Sequence, residues 1–97
     1  MNLIPEPIRF NWDQGNINKN LEKHKITNEE SEEVFLNPPV TIIEDPKHSL
    51  HEPRLMALGK ADSGKLLTVI FTARNKKIRI ISARQMNKKE RKLYEKN

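Results

Sequence analysis

The sequence predicts an α+β fold: an antiparallel β-sheet packed by two N-terminal helices and one C-terminal helix, in the order β-α-α-β-β-β-β-α. Three observations carry this expectation. Three strand-like segments crowd between residues 54 and 84, joined by Ala61-Asp62-Ser63-Gly64 and by Asn75-Lys76, links so short that the neighbours must be antiparallel. Two capping boxes, Thr27 with Glu30 and Asn87 with Glu90, open helices on either side of them. Finally, Asn37-Pro38-Pro39 divides a helical N-terminal part from the strands, because proline cannot continue a helix and disfavours it in the preceding residue. Ninety-seven residues then suffice for one domain, 1–97, with a single thin core.

Taken in order, Ile8, Phe10 and Trp12 alternate with Arg9 and Asn11, the period-two pattern of a half-buried strand, and Asp13 offers a helix N-cap. Within residues 14–24, Ile17 and Leu21 lie four apart and define the buried stripe expected of a weakly amphipathic first helix ending near Lys25. The second helix runs from the Thr27 box to about Leu36 and buries Val34 and Phe35. Val40 to Ile43 reads as a strand. Glu44 to Pro53, with two prolines and two histidines, has no periodicity and reads as an exposed loop. The remaining strands are Arg54–Lys60, Lys65–Arg74 and Lys77–Arg84. The middle one contains Leu66-Leu67-Thr68-Val69-Ile70-Phe71, a nearly continuous apolar run suited to a central strand covered on both faces. The last helix reaches Tyr94.

Charge is distributed unevenly. Residues 1–49 hold five Lys/Arg against nine Asp/Glu, whereas residues 50–97 hold thirteen against four. From Arg74 onward ten basic residues face only Glu90 and Glu95, the distribution expected where a polyphosphate docks. Arg74, Lys76, Lys77, Lys88, Lys89, Arg91 and Lys92 are the candidate RNA contacts; a merely solvated basic tail is the alternative. Zero cysteines exclude disulfides and thiolate metal sites. No secretory or membrane-spanning pattern is present, which makes the cytoplasm the expected location.

The residues that suit chemistry are arginines on strands: Arg54, Arg74, Arg79 and Arg84. A guanidinium binds phosphate oxygens bidentately and stays charged at every physiological pH. Equally open is that these arginines pair with Glu29, Glu30, Glu32 and Glu33 of the second helix. Strand parity sets Arg79 opposite to Ile78 and Ile80 but Arg84 on their side, so the two converge only past a break near Ser82-Ala83-Arg84. No metal spacing or Gly-rich phosphate loop is present, and no cofactor is expected. RNA cleavage without a metal needs a base, an acid and cations around the phosphoryl group. His24, His48, His51, Glu52 and Tyr94 are the proton-transfer candidates, although His24 also suits a helix C-terminus and Tyr94 also suits packing on the sheet.

Several segments carry a resemblance. Phe10-Asn11-Trp12-Asp13, Asn20-Leu21-Glu22-Lys23-His24, Glu33-Val34-Phe35, Asp45-Pro46 with His48-Ser49, and Glu52 with Arg54 belong to the set. Arg79-Ile80-Ile81-Ser82-Ala83-Arg84 followed by Glu90-Arg91 and Tyr94-Glu95 completes it. In this order they resemble the BrnT family of bacterial type II toxins across nearly the whole chain. The resemblance implies a RelE-like fold and an endoribonuclease that inhibits translation. It also implies neutralisation by a BrnA-like antitoxin, in a heterotetramer that binds its own promoter DNA through the antitoxin. By the same likeness Arg54, Arg79 and Arg84 bind or activate the phosphate, with Glu52, His24 and Tyr94 as further participants. Two positions depart from the pattern: Lys25 replaces a glycine often found after the first helix, and Asn11 stands where an acid is common. Apart from the resemblance, a non-catalytic RNA- or DNA-binding module and a partner subunit remain the alternatives.

Overall fold

In the computed structural model, which describes residues 4–45 and 52–96, the chain forms α1 (Lys19–His24), α2 (Asn28–Leu36), β1 (Thr41–Glu44), β2 (Leu55–Lys60), β3 (Leu66–Arg74), β4 (Lys77–Gln85) and α3 (Lys88–Glu95). The four strands make an antiparallel meander in the order β1-β2-β3-β4. The α+β expectation holds. Both capping boxes form: Thr27 and Asn87 accept from the backbone N–H of Glu30 and Glu90, and each glutamate returns the bond to the cap residue's own N–H. The β3–β4 link turns at Asn75 and Lys76, both at positive φ (54° and 63°), as a two-residue hairpin of matching twist requires. Among the described residues no helix is long and apolar enough to cross a membrane.

Alternation divides the sheet into two unlike faces. Ala57, Leu67, Val69, Phe71, Ile78, Ile80 and Ala83 point to one side and pack on Ile26, Val34 and Phe35. Phe35 meets Phe10 and Phe71 edge-on, with ring centroids 5.8 and 4.9 Å apart. Gly59 lets α2 sit directly on β2, since a Cβ there would stand 2.9 Å from Val34 Cγ1 and 3.2 Å from the Val34 carbonyl oxygen. The opposite face carries Thr68, Ile70 and Thr72 with their partners on β4, and α3 covers only one end of it.

Two expectations about the N-terminal part need correction. The first strand is reduced to a single parallel bridge of Phe10 with Ile78, built by Asn11 N–H to the Ile78 carbonyl and Ile78 N–H to the Arg9 carbonyl. Its alternating side chains are still used, with Ile8, Phe10 and Trp12 packed against the core. The first helix starts at Lys19 rather than near residue 14. Asp13 accepts from the Gly15 N–H and Asn16 accepts from the Asp13 N–H, while Asn18 adopts a left-handed conformation, so side chains hold residues 13–18 in a turn. The turn and helix together also bury the other side: Ile17 and Leu21 are exposed and Asn16 and Asn20 are buried.

Those asparagines answer a backbone demand that periodicity does not reveal. β4 has a bulge at Ile81, between the pairs Phe71–Ile80 and Ile70–Ser82. On the outer edge of the strand, Asn16 Nδ2 donates to the Ile80 carbonyl at 3.0 Å and Asn20 Oδ1 accepts from the Ala83 N–H at 3.0 Å. Burying two asparagines is favourable here because each satisfies a buried backbone group of the edge strand.

Candidate active site

The bulge decides which side chains share the face opposite the core cluster, where Leu58, Thr68 and Thr72 are also buried. With Ile81 as the extra residue, Arg79, Ser82 and Arg84 stand opposite Thr72, Ile70 and Thr68, alternate residues of one β3 face. The break anticipated near Ser82 is therefore present, and it brings Arg79 and Arg84 to the same side of the sheet. It does not bring them together. Their β3 partners are four residues apart, roughly 13 Å at about 3.3 Å per residue.

Arg79 belongs to a cleft of about 300 Å³, lined by Gly15, Asn16, Lys19, Glu52, Arg54, Arg74, Arg79, Ile80 and Ile81. Three strands contribute. Arg54 immediately precedes β2, where the Thr72 hydroxyl donates to the Pro53 carbonyl at 2.7 Å and fixes the approach. Arg74 ends β3 and donates to both Glu52 oxygens at 3.1 and 3.2 Å. Arg79 donates to Asn11 Oδ1 at 2.6 Å and, through Nη1 and Nη2, to the two Asp13 oxygens at 2.9 and 3.0 Å. The Asp13 carboxyl is held below the ordinary carboxylate range, first by Arg79 and then by the Gly15 N–H. Four cations against one carboxylate line the cleft, with Lys76 exposed on the adjoining hairpin turn and Lys77 exposed at the start of β4. A phosphodiester entering it would meet guanidinium groups from several directions.

Arg84 stands at the other end of the face in a different arrangement. Its Nη1 and Nη2 donate to the two oxygens of Glu90, each at 2.7 Å, while Thr68 Oγ1 and the Asn87 N–H donate to the same carboxylate at 2.8 and 3.0 Å. Burial acts to raise the Glu90 carboxyl, but the bonds from Arg84, Asn87 and Thr68 outweigh it and hold the group at about 2. Glu90 in turn raises the Arg84 guanidinium. Arg84 thus fastens α3 to the sheet. Lys88, Lys89, Arg91 and Lys92 project from that helix into solvent, and Tyr94 is half-buried on it.

The remaining sequence candidates separate. His24 ends α1 and does not line the cleft. His48 and His51 lie outside the described residues. Arg74, Arg79 and Arg84 all pair with acids, but with Glu52, Asp13 and Glu90 rather than with the α2 glutamates. Glu30 instead binds Lys65, and Glu32 accepts from the Trp12 indole. Sequence reading missed Lys19 and Gly15 as cleft residues and gave Asp13 only a capping role. The one signal for Asp13 was its place beside Trp12 in the motif.

A family model described as "Ribonuclease toxin, BrnT, of type II toxin-antitoxin system" matches residues 12–90. The chain belongs to this family. A search of curated proteins returned no match. The BrnT match spans Asp13, Lys19, Glu52, Arg54, Arg74 and Arg79, together with Arg84 and Glu90, and stops short of Tyr94. As a member of this ribonuclease toxin family, the chain has RNA as its substrate class and an antitoxin as its partner class.

Lys25, noted after the first helix, occupies a position that suits glycine. Its φ is 61°, its N–H donates to the Leu21 carbonyl, and the N–H of Ile26 reaches back to the Asn20 carbonyl. This is the left-handed turn that ends a helix, and it drops Ile26 into the core.

Proposed function

We propose that this chain is a metal-independent endoribonuclease whose cleft at Arg54, Arg74 and Arg79 holds the scissile phosphate. The observation that carries the reading is the convergence of these three arginines with Glu52 in a chain of a ribonuclease family. In this mechanism the ribose 2′-hydroxyl attacks the adjacent phosphorus and Glu52 takes its proton, while the bond to the 5′-oxygen breaks as that oxygen takes a proton from solvent water; Glu52 then returns its proton to solvent. The products are a 2′,3′-cyclic phosphate and a free 5′-hydroxyl. Arg54 and Arg79 neutralise the charge that builds on the non-bridging oxygens, and Lys19 and Arg74 supply further positive field. The exposed lysines of α3 and its Arg91 guide the RNA toward the cleft, whereas Arg84 acts by seating that helix.

The same reading makes the protein a cytoplasmic inhibitor of translation. It is neutralised by a BrnA-like antitoxin in a heterotetramer that binds promoter DNA through the antitoxin. Incubating the purified protein with a structureless RNA, with and without chelator, tests the enzymatic part. Cleavage in both conditions is the expected result. Intact RNA at large enzyme excess refutes the activity, and loss of cleavage on adding chelator refutes the metal-free route. One observation favours a second reading, a module that grips RNA or DNA without cutting: Arg74 and Arg79 already hold carboxylates, as in a static salt-bridged surface. Salt-dependent binding with no cleavage products would establish it.

A further inference from the structure

From the contacts of Arg79 we infer that Asn11, Asp13 and Gly15 form a positioning cradle that fixes which edge of its guanidinium meets the phosphate; the inference rests on reading the cleft as the phosphate site. A guanidinium has five N–H donors in a rigid plane, arranged as an end-on fork and a side-on fork. Asp13 takes the end-on fork through Nη1 and Nη2, and Asn11 takes the other Nη1 hydrogen at 2.6 Å. The Nε–H and the remaining Nη2–H, which lie along one edge, are used by none of these bonds. That edge is the second fork, the geometry that matches two phosphate oxygens.

Gly15 completes the cradle from below. A Cβ on residue 15 would stand 2.8 Å from Arg79 Nη2 and 3.0 Å from Asp13 Oδ1, so a side chain there crowds the Arg79–Asp13 pair and one of these groups must shift. To restore ordinary contact at 3.4 Å, Nη2 and the turn must separate by about 0.6 Å. The Asp13 side chain is 56% exposed and that of Arg79 only 13%. An ion pair with so exposed a partner adds little to stability. Its bidentate geometry restrains a charged group beside the reacting atoms, where misplacement by roughly 1 Å can lower turnover about 100-fold. The alternate spacing of Asn11, Asp13 and Gly15 lets one extended stretch and turn supply all three contacts from the segment that also bridges β4 at Ile78.

Gly15→Ala and Asp13→Ala separate positioning from folding. The probe is an oligoribonucleotide with 2′-O-methyl riboses, which binds but lacks the attacking hydroxyl. It is added to ¹⁵N-labelled protein while the Arg79 Nε–H resonance is followed, and cleavage of unmodified RNA is measured in parallel. In the wild type the resonance is expected to shift on binding. Both variants are expected to keep the wild-type melting midpoint, to lose that shift, and to fall about 100-fold in kcat/KM. The cradle is overturned if the folded variants cleave and shift like the wild type, or if the wild-type resonance does not move when the oligonucleotide binds. Should Asp13→Ala unfold, Gly15→Ala carries the test alone, because it removes no hydrogen bond. A wild type that leaves RNA intact while its Arg79 resonance shifts refutes the ribonuclease reading and leaves the cradle standing. Cleavage without the shift does the reverse.

Discussion

Replacing Glu90 with alanine should loosen α3 and the Arg84 end of the sheet together. The carboxylate accepts four hydrogen bonds, two from Arg84 and one each from Thr68 Oγ1 and the Asn87 N–H, with only 8% of its side chain exposed. Leaving the Asn87 N–H without its acceptor costs about 1 kcal/mol, and losing charge-assisted bonds to Arg84 about 1.5–3 kcal/mol. The Thr68 hydroxyl, on a residue with no exposed surface, would also lose its acceptor. These effects overlap, so roughly 3–4 kcal/mol in total is a fair expectation, equivalent to about 12–30 °C in melting midpoint for a chain of this size.

A pH dependence accompanies the loss. The Glu90 carboxyl is depressed from 4.5 to about 2 in the folded protein, so its stabilising contribution is present above about pH 5 and disappears as pH falls toward 2. The full shift corresponds to about 3 kcal/mol, reduced to roughly 1–2 kcal/mol by solvent screening of an Arg84 side chain that is 34% exposed. Urea unfolding followed by circular dichroism at pH 7 and at pH 2.5 measures both effects. The gap between wild type and Glu90→Ala should be large at pH 7 and narrower at pH 2.5. A variant within about 0.5 kcal/mol of wild type at pH 7, the scatter of ordinary surface changes, would refute the argument.

Three further outcomes follow from the same structure. Lys25→Gly should stabilise the protein by about 1 kcal/mol in chemical denaturation, because it removes a side chain from a left-handed position at φ 61°. Asn20→Ala should cost roughly 1–3 kcal/mol in the same assay, since it strands the Ala83 N–H inside the protein. Replacing any one of Lys88, Lys89, Arg91 or Lys92 with alanine should weaken RNA binding alike for all sequences and lower the log–log salt slope by about 1, as read by titration at several salt concentrations.

How much of this was legible depended on whether a residue's role is local. Thr27–Glu30 and Asn87–Glu90 could be read because a capping box is written within four residues. β2, β3 and β4 could be read because their links are shorter than any crossover. Parity showed that Arg79 and Arg84 can share a side only past a break, but the bulge at Ile81 and its effect on Arg84 depend on long-range register. Ile17 and Leu21 misled because periodicity assigns burial to apolar residues. Here the edge of β4 needed hydrogen-bond partners, and Asn16 and Asn20 took the inward side. In the candidate site, Arg54, Arg74, Arg79 and Glu52 were chosen for their chemistry and do share a cleft. Asp13 and Gly15 escaped because their contacts with Arg79 span more than sixty residues. Glu90 was recognised as a cap, yet nothing local shows that the same carboxylate holds Arg84.

The most direct test of the central claim compares cleavage of one structureless RNA by wild type, Arg79→Ala and Arg84→Ala, each confirmed folded, at equal concentration and with chelator present. The cleft mechanism predicts that Arg79→Ala falls by about 100- to 1,000-fold, the usual loss when a group stabilising transition-state charge is removed. Arg84→Ala should lose stability and retain most of its activity at low temperature. Undiminished cleavage by folded Arg79→Ala, or a loss confined to Arg84→Ala, would contradict the account and move the reacting phosphate away from this cleft.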